Sequence, residues 1–211
     1  DFSFRPLVSA SFALNRALSG EAVWSYHAFN LLVHLACGLL LLGVLRRTLE
    51  RAAPQLARGT REGLALASSL IWLVHPLQTG AVTYLSQRAE SMGAFFYLLC
   101  LYAFVRSTSA ARPLGWQVLV VLALALGFAA KETIATAPVV LWLYDATFVE
   151  SGGLAGSLRR RKPLYAVLAC VALVLSIPFI VPQLFAERST MGFRLHDHGP
   201  LEYARSQPGV L

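Results

Sequence analysis

Charge is what this sequence has least of. Of 211 residues only 14% are Asp, Glu, Lys or Arg, while 56% are hydrophobic. A soluble domain carries about 25% charged residues, so the chain lacks the material for a continuous water-facing surface. Acids are the scarcer sign, 11 against 18 Lys and Arg, which leaves a formal net charge of +7. That excess does not mark nucleic-acid binding. Most of the basic excess sits in short loops between apolar runs, with no basic face interleaved with exposed aromatics. Cysteine is rare too. Cys37, Cys100 and Cys170 each lie inside an apolar run, where a thiol behaves as a small hydrophobe, so they signal neither a disulfide framework nor a metal site. Gly-rich phosphate loops, nucleophile elbows and zinc-helix signatures are absent. With no starting Met or leader pattern, the chain is expected to be an internal fragment of a longer protein.

What is present is a succession of apolar runs, at 27–45, 64–75, 91–105, 114–130, 133–148 and 164–185. A helix needs about 20 apolar residues to cross hydrocarbon. The first and last runs meet that length. The second and third fall short, and Pro76 interrupts the sequence between them. Short, broken segments at membrane depth are tolerated only against protein or a water-filled cavity, which directs attention to His75 and Arg88. The expected fold is all-α, a polytopic transmembrane helical bundle with about six crossings. Residues 1–26 read as the end of an outer loop, 27–185 as the transmembrane helical domain, and 186–211 as a further outer loop.

The loops set the orientation. With one crossing per run, the inner loops collect Arg46, Arg47, Arg51, Arg58 and Arg61, then Arg106 and Arg112, then Arg159, Arg160, Arg161 and Lys162. Short cytoplasmic loops are the ones enriched in Lys and Arg, so the Arg-rich loops are placed in the cytoplasm. The opposite face then gathers His27, Asn30, His75, Arg88, Glu90, Lys131 and Glu132, with Trp24, Tyr26 and Tyr84 at the level of an aromatic belt.

Ionisable groups at membrane depth are costly and usually face an interior cavity, where they become functional candidates. Lys131 and Glu132, in AAKETIATAP, join two apolar runs with almost no loop. They read either as an interfacial pair that reaches the headgroups or, for Lys131, as the cation for an anionic lipid phosphate. Arg88 and Glu90, in YLSQRAES, pose the same choice. As a plain ion pair they need no ligand. As a site, the planar fork of Arg88 holds a phosphate, and Glu90 orients it or acts as a base once burial raises its proton affinity. His27, Asn30 and His34 fall on one face of the first run at helical spacing, for which interhelical hydrogen bonds are the plainer account of His34. His196 and His198 flank Asp197 in a polar loop without further ligands at usable spacing, so no metal site is assigned. Asp145 reads as a helix-end residue rather than a catalyst.

Four stretches combine these residues in one order: FRPLVSASFALN, YHAFNLLVH, HPLQTGAVTYLSQRAES and AAKETIATAPVVLWLYD. Together they resemble the membrane half of the transmembrane and tetratricopeptide-repeat glycosyltransferases, which look like GT-C enzymes and include protein O-mannosyltransferases. The resemblance implies a GT-C-like bundle that takes a sugar, mannose in the first instance, from a polyprenyl- or dolichyl-phosphate donor. It passes that sugar on the outer face to an acceptor such as a protein Ser or Thr hydroxyl. No bound cofactor is implied, and a divalent metal is neither required nor excluded. In that class the catalytic carboxylate lies in the first outer loop. That loop is expected upstream of FRPL and tetratricopeptide repeats downstream, so this stretch is expected to be inactive alone, with Glu90 and Glu132 as reserve bases.

The chemistry is consistent with the residue types. Sugar transfer from a phosphate needs a carboxylate to deprotonate the acceptor hydroxyl and cations to stabilise charge on the departing phosphate. Arg5, Arg88 and Lys131 supply cations, with His27, Asn30 and His75 as further substrate-binding candidates. A multi-pass transporter or flippase also uses intramembrane charge and broken helices, but it predicts two related halves, which this sequence lacks. A non-catalytic scaffold for a repeat domain is the third reading. The Ala, Leu and Arg-rich composition suits a bacterial inner membrane.

Overall fold

A computed structural model of the chain describes residues 5–185, and every described regular element is helical. The elements are α1 (Pro6–Ser19), α2 (Trp24–Ala52), α3 (Arg58–Leu73), α4 (Thr79–Thr83), α5 (Arg88–Ser107), α6 (Leu114–Phe128), α7 (Ala137–Phe148), α8 (Gly153–Arg160) and α9 (Lys162–Phe185). All packing described below lies within the compact unit that ends at Ser176.

Local chemistry places the boundaries. Proline opens α1 as Pro6 and α7 as Pro138, where its missing N–H is one the helix start does not use. Gly20 closes α1 at φ +60°, a backbone region that side chains with a Cβ avoid. Pro76 forces His75 into an extended conformation (φ −62°, ψ 134°). The chain beyond α3 therefore turns by 53° into Pro76–Thr83.

Each of the six apolar runs is helical, but crossing length is another matter. Among the described residues two helices are long and apolar enough to cross a membrane, Trp24–Ala52 and Leu85–Ser107. Arg58–Leu73 with Pro76–Thr83 makes a third if the bent pair counts as one span. The runs that form α6 and α7 do not reach that measure. With 15 and 12 residues, α6 and α7 are about 22 and 18 Å long, against about 30 Å of hydrocarbon. The segment expected as the tail of an outer loop contains α1, which docks on the bundle through Leu7 N–H donating to the Ala129 carbonyl (3.1 Å). Residues 186–211, including His196, Asp197 and His198, lie outside the described residues.

Within the unit α5 packs between α2 and α6, and α3 lies against α2. The seams are lined by small residues and aromatics: Cys37, Ala89, Met92, Cys100, Ala103 and Phe104 against Val120, Ala123, Leu124 and Phe128, all buried. Gly127 lets the following turn fold back closely. A Cβ there would stand 2.7 Å from Ile134 Cγ1 and 3.2 Å from Phe96 Cβ. The outer surface is apolar as well. Leu32, Leu39, Ile71, Leu114 and Leu173 are each at least 65% exposed.

Contacts sort the helix ends. Near the C-terminus of α2, Thr48 meets the Tyr144 hydroxyl of α7 (2.8 Å), and Arg51 donates to the Val105 carbonyl of α5 (3.4 Å). The C-terminal ends of α2, α5 and α7 therefore gather at one end. The N-terminal ends of α2 and α5 gather at the other, with α1 and the 129–136 turn.

Candidate functional site

The centre of the second end is Arg88, the first residue of α5, which is 1% exposed. A buried guanidinium costs free energy unless its donors are satisfied. Here Nε donates to Asn30 Oδ1 (2.9 Å), Nη1 to Asn15 Oδ1 (2.6 Å) and Ser11 Oγ (3.4 Å), and Nη2 to the Tyr26 carbonyl (3.0 Å). Phe12, Phe29 and Tyr26 surround the cation with ring centroids at 4.1, 4.7 and 5.6 Å, distances at which the ring quadrupole attracts it. No carboxylate touches Arg88 among the described residues. It is a strut between α1, α2 and α5, and taking a phosphate would mean giving up these bonds.

The ion pairs expected within Arg88–Glu90 and Lys131–Glu132 are exchanged for longer-range ones. Lys131 Nζ pairs with Glu90, and Arg5 Nη2 reaches both oxygens of Glu132 at 3.3 Å. The cause is backbone geometry. Lys131 is extended (φ −158°, ψ 135°) between α6 and the 3₁₀ turn Glu132–Thr136, so its side chain and that of Glu132 diverge. Gly93 completes the arrangement, because a Cβ there would stand 2.9 Å from Lys131 Cβ. The cations lie deeper than the acids. Side-chain exposure is 14% for Lys131 and 30% for Arg5, against 53% for Glu90 and 44% for Glu132.

The remaining candidates divide. His27 Nδ1 and Asn30 Nδ2 both approach the Val82 carbonyl (3.3 and 3.4 Å), tying α2 to the bent segment. His34 meets the Leu73 carbonyl (2.9 Å) and stacks on Trp72, an interhelical role. His75 is exposed, and its Nδ1 accepts from Leu77 N–H (3.2 Å), which leaves it outside the Arg88 cluster. Asp145 lies at the opposite end and is fully buried. Arg161 Nη1 donates to both its oxygens (2.6 and 2.8 Å), and the Tyr165 hydroxyl donates to Oδ2 (2.8 Å).

Ser11 and Asn15 are the site residues that sequence reading missed. Their signal was a polar pair at i, i+4 within an otherwise apolar helix, which places both on one face. What the arrangement can do follows from its two levels. The buried level fixes three helices around one cation. Above it, two half-open ion pairs present cations that an anionic group of higher charge could take from their carboxylates, freeing the acids to accept protons.

No family model matches the chain, and no solved structure matches it. Curated proteins do. The chain is 30% identical over 152 residues to the protein O-mannosyl-transferase TMTC3 of Mus musculus, covering 71% of this chain and 15% of that protein. It is 34% identical over 118 residues to mouse TMTC2, covering 54% and 13%. It is 30% identical over 166 residues to Tmtc2 of Drosophila melanogaster, covering 76% and 16%. The chain thus spans about one sixth or less of the length of these relatives. On these matches the chain belongs to the TMTC family, the transmembrane and tetratricopeptide-repeat proteins whose curated members are named protein O-mannosyl-transferases.

Proposed function

We propose that this chain is part of a membrane-embedded glycosyltransferase of the GT-C class. In this reading it moves mannose from a polyprenyl- or dolichyl-phosphate donor to Ser or Thr hydroxyls of an acceptor protein. The observation that carries the reading is the match to proteins named O-mannosyl-transferases over 71% of the chain. The helices lie in a bilayer, since side chains such as Leu32 and Leu39 face outward and need an apolar solvent. The six apolar helical segments, α6 and α7 included, each take the chain across, with the short ones buried against protein. The Arg-rich turns face the cytoplasm, following the bias of short loops. The Arg88 end faces the periplasm or lumen, and the composition suits a bacterial inner membrane.

At that end Lys131 and Arg5 serve as the phosphate cations, because both sit in ion pairs that a lipid phosphate can replace. As the sugar leaves, charge builds on the donor phosphate, and cations placed beside it lower the barrier. Glu90 or Glu132, released from its partner, is the base for the acceptor hydroxyl if no carboxylate outside this chain fills that role. Arg88, with Asn30 and His27, positions the helices that carry them.

The test is transfer of mannose from a polyprenyl-phosphate donor to acceptor peptides by the full-length protein. Lys131→Gln should lower transfer by about 100-fold, near the loss of one transition-state donor, with insertion unchanged. Undiminished transfer in Lys131→Gln and Arg5→Gln together would remove both cations from the mechanism.

A further inference from the structure

At the opposite end of the unit two arginines stand out by how they are held. Arg47, near the end of α2, lies over the Tyr102 ring at 5.1 Å. Arg106, in the last turn of α5, lies over the Trp116 ring at 4.5 Å. The two rings pack edge to face, with centroids 6.1 Å apart. One aromatic pair therefore pins both guanidiniums. Gly43 makes the seat for it, because a Cβ there would stand 2.5 Å from the Tyr102 ring.

Both side chains line one cavity of about 300 Å³ together with Ser109 and Ala110. Its lining contains no acid. Four other arginines at this end are paired with acids, Arg46 and Arg58 with Glu62, Arg160 with Glu150 and Arg161 with Asp145, whereas Arg47 and Arg106 face no carboxylate among the described residues. Arg47 uses Nη1 on the Gly43 carbonyl (2.9 Å). Its other donors, and those of Arg106, have no hydrogen-bond partner among the described residues. A third cation supports the rim, since Arg51 donates to Ser109 Oγ and Thr108 Oγ1, each at 2.7 Å. Cations near helix C-termini complement the helix dipole, which accounts for arginine at this end. It does not account for two guanidiniums fixed on adjoining rings around a shared space.

We propose that this cavity is a phosphate site. Planar guanidiniums match phosphate oxygens through paired N–H donors, and stacking on a ring fixes the plane of each before the ligand arrives. The Ser109 hydroxyl, accepting from Arg51, has its own proton to give to a further oxygen. The ligand class is an anionic phosphate group, supplied either by a phospholipid headgroup or by soluble phosphate. The site is separate from the Arg88 end and independent of sugar transfer.

The test reconstitutes the full chain in phosphatidylcholine vesicles with and without phosphatidylglycerol and counts retained phosphatidylglycerol by native mass spectrometry. The wild type should retain it. Arg47→Gln with Arg106→Gln should retain about tenfold less, the scale of losing charge-assisted hydrogen bonds. Arg112→Gln, an exposed arginine on the same turn and outside the cavity, should retain as much as the wild type. Ser109→Glu, at an exposed position, sets a carboxylate at the cavity and should reproduce the loss even if the double variant fails to fold. Inorganic phosphate separates the sources. Displacement of the lipid by added phosphate assigns the site to soluble phosphate, and retention against it assigns the lipid. Equal retention by the wild type, the double Gln variant and Ser109→Glu would overturn the proposal.

Discussion

The guanidinium of Arg88 and the side-chain oxygen of Asn15 lie 2.6 Å apart although 73 residues separate them in sequence. Asn15 enters this contact with its amide already spent, since Nδ2 donates to the Ser25 carbonyl (3.1 Å). Its oxygen therefore faces the cation without ambiguity, and removing the cation strands it. Arg88→Gln should leave the side-chain acceptors of Asn15 and Asn30 unsatisfied in a buried space, at about 1–3 kcal/mol each. We expect a loss of at least several kcal/mol. Arg88→Lys should recover only part, because a compact ammonium cannot reproduce the planar fork. Denaturation in detergent reads this directly. A double cycle with Asn15→Ala should show strong coupling. Wild-type stability in Arg88→Gln would mean that the residue is not a strut, and would return it to the pool of phosphate ligands.

A second buried charge makes a comparable prediction at the other end. Asp145 on α7 takes Arg161 and Tyr165 as donors, which fastens the start of α9 to α7 across α8. Asp145→Ala leaves Arg161, 14% exposed, without its counter-charge. Breaking a buried pair from one side costs about 3–5 kcal/mol, whereas replacing both partners with apolar groups of similar volume is often neutral. Asp145→Ala should therefore destabilise strongly, and Asp145→Leu with Arg161→Met should regain most of the loss. Thermal melts of the three proteins check the order. If the double variant is no better than Asp145→Ala, the pair contributes more than mutual neutralisation.

Helical character and the positions of the six apolar segments could be read from the sequence, because hydropathy and helix-breaking prolines act locally. Pro76 marked the bend between α3 and α4 for that reason. The partners of the charged residues could not. Adjacent acids and bases in AAKE and QRAE suggest local pairs, yet Lys131 is extended and Arg88 begins a helix, so neighbours in sequence point apart. Arg5 with Glu132, and Lys131 with Glu90, are set by tertiary packing that one sequence does not display. The same limit hid α1. Its Ser11 and Asn15 face inward for Arg88, a reason visible only once α5 is in place.

Packing around Lys131 yields a prediction about a residue with no side chain. A Cβ on Gly93 would meet Lys131 Cβ at 2.9 Å, and neither atom is the flexible end of a side chain. Gly93→Ala should push the 129–136 turn away from α5 and loosen Lys131 from Glu90. Overpacking of this kind costs about 1–3 kcal/mol. Gly115→Ala is the control, because that position faces open space and Ala is the better helix former. A melt should place Gly93→Ala below the wild type and Gly115→Ala at or above it. Equal stability of Gly93→Ala and the wild type would show that the turn yields without cost.

The two half-open ion pairs separate a structural role from a catalytic one. If Arg5 and Glu132 only hold α1 to the 129–136 turn, then Arg5→Glu with Glu132→Arg should preserve whatever they contribute. An exposed pair contributes about 0–1 kcal/mol, so the exchange should leave stability nearly unchanged. If Arg5 instead meets a donor phosphate as charge builds on it, the exchanged protein presents a carboxylate where a cation is needed. Transfer by the full-length protein should then fall by about 100-fold, although the melt is unaltered. Arg5→Lys, which keeps the charge, should recover a larger share of transfer than Arg5→Gln. Parallel loss of stability and transfer in the exchanged protein would assign the pair to architecture alone. Unaltered transfer would leave Lys131 as the phosphate cation at this end.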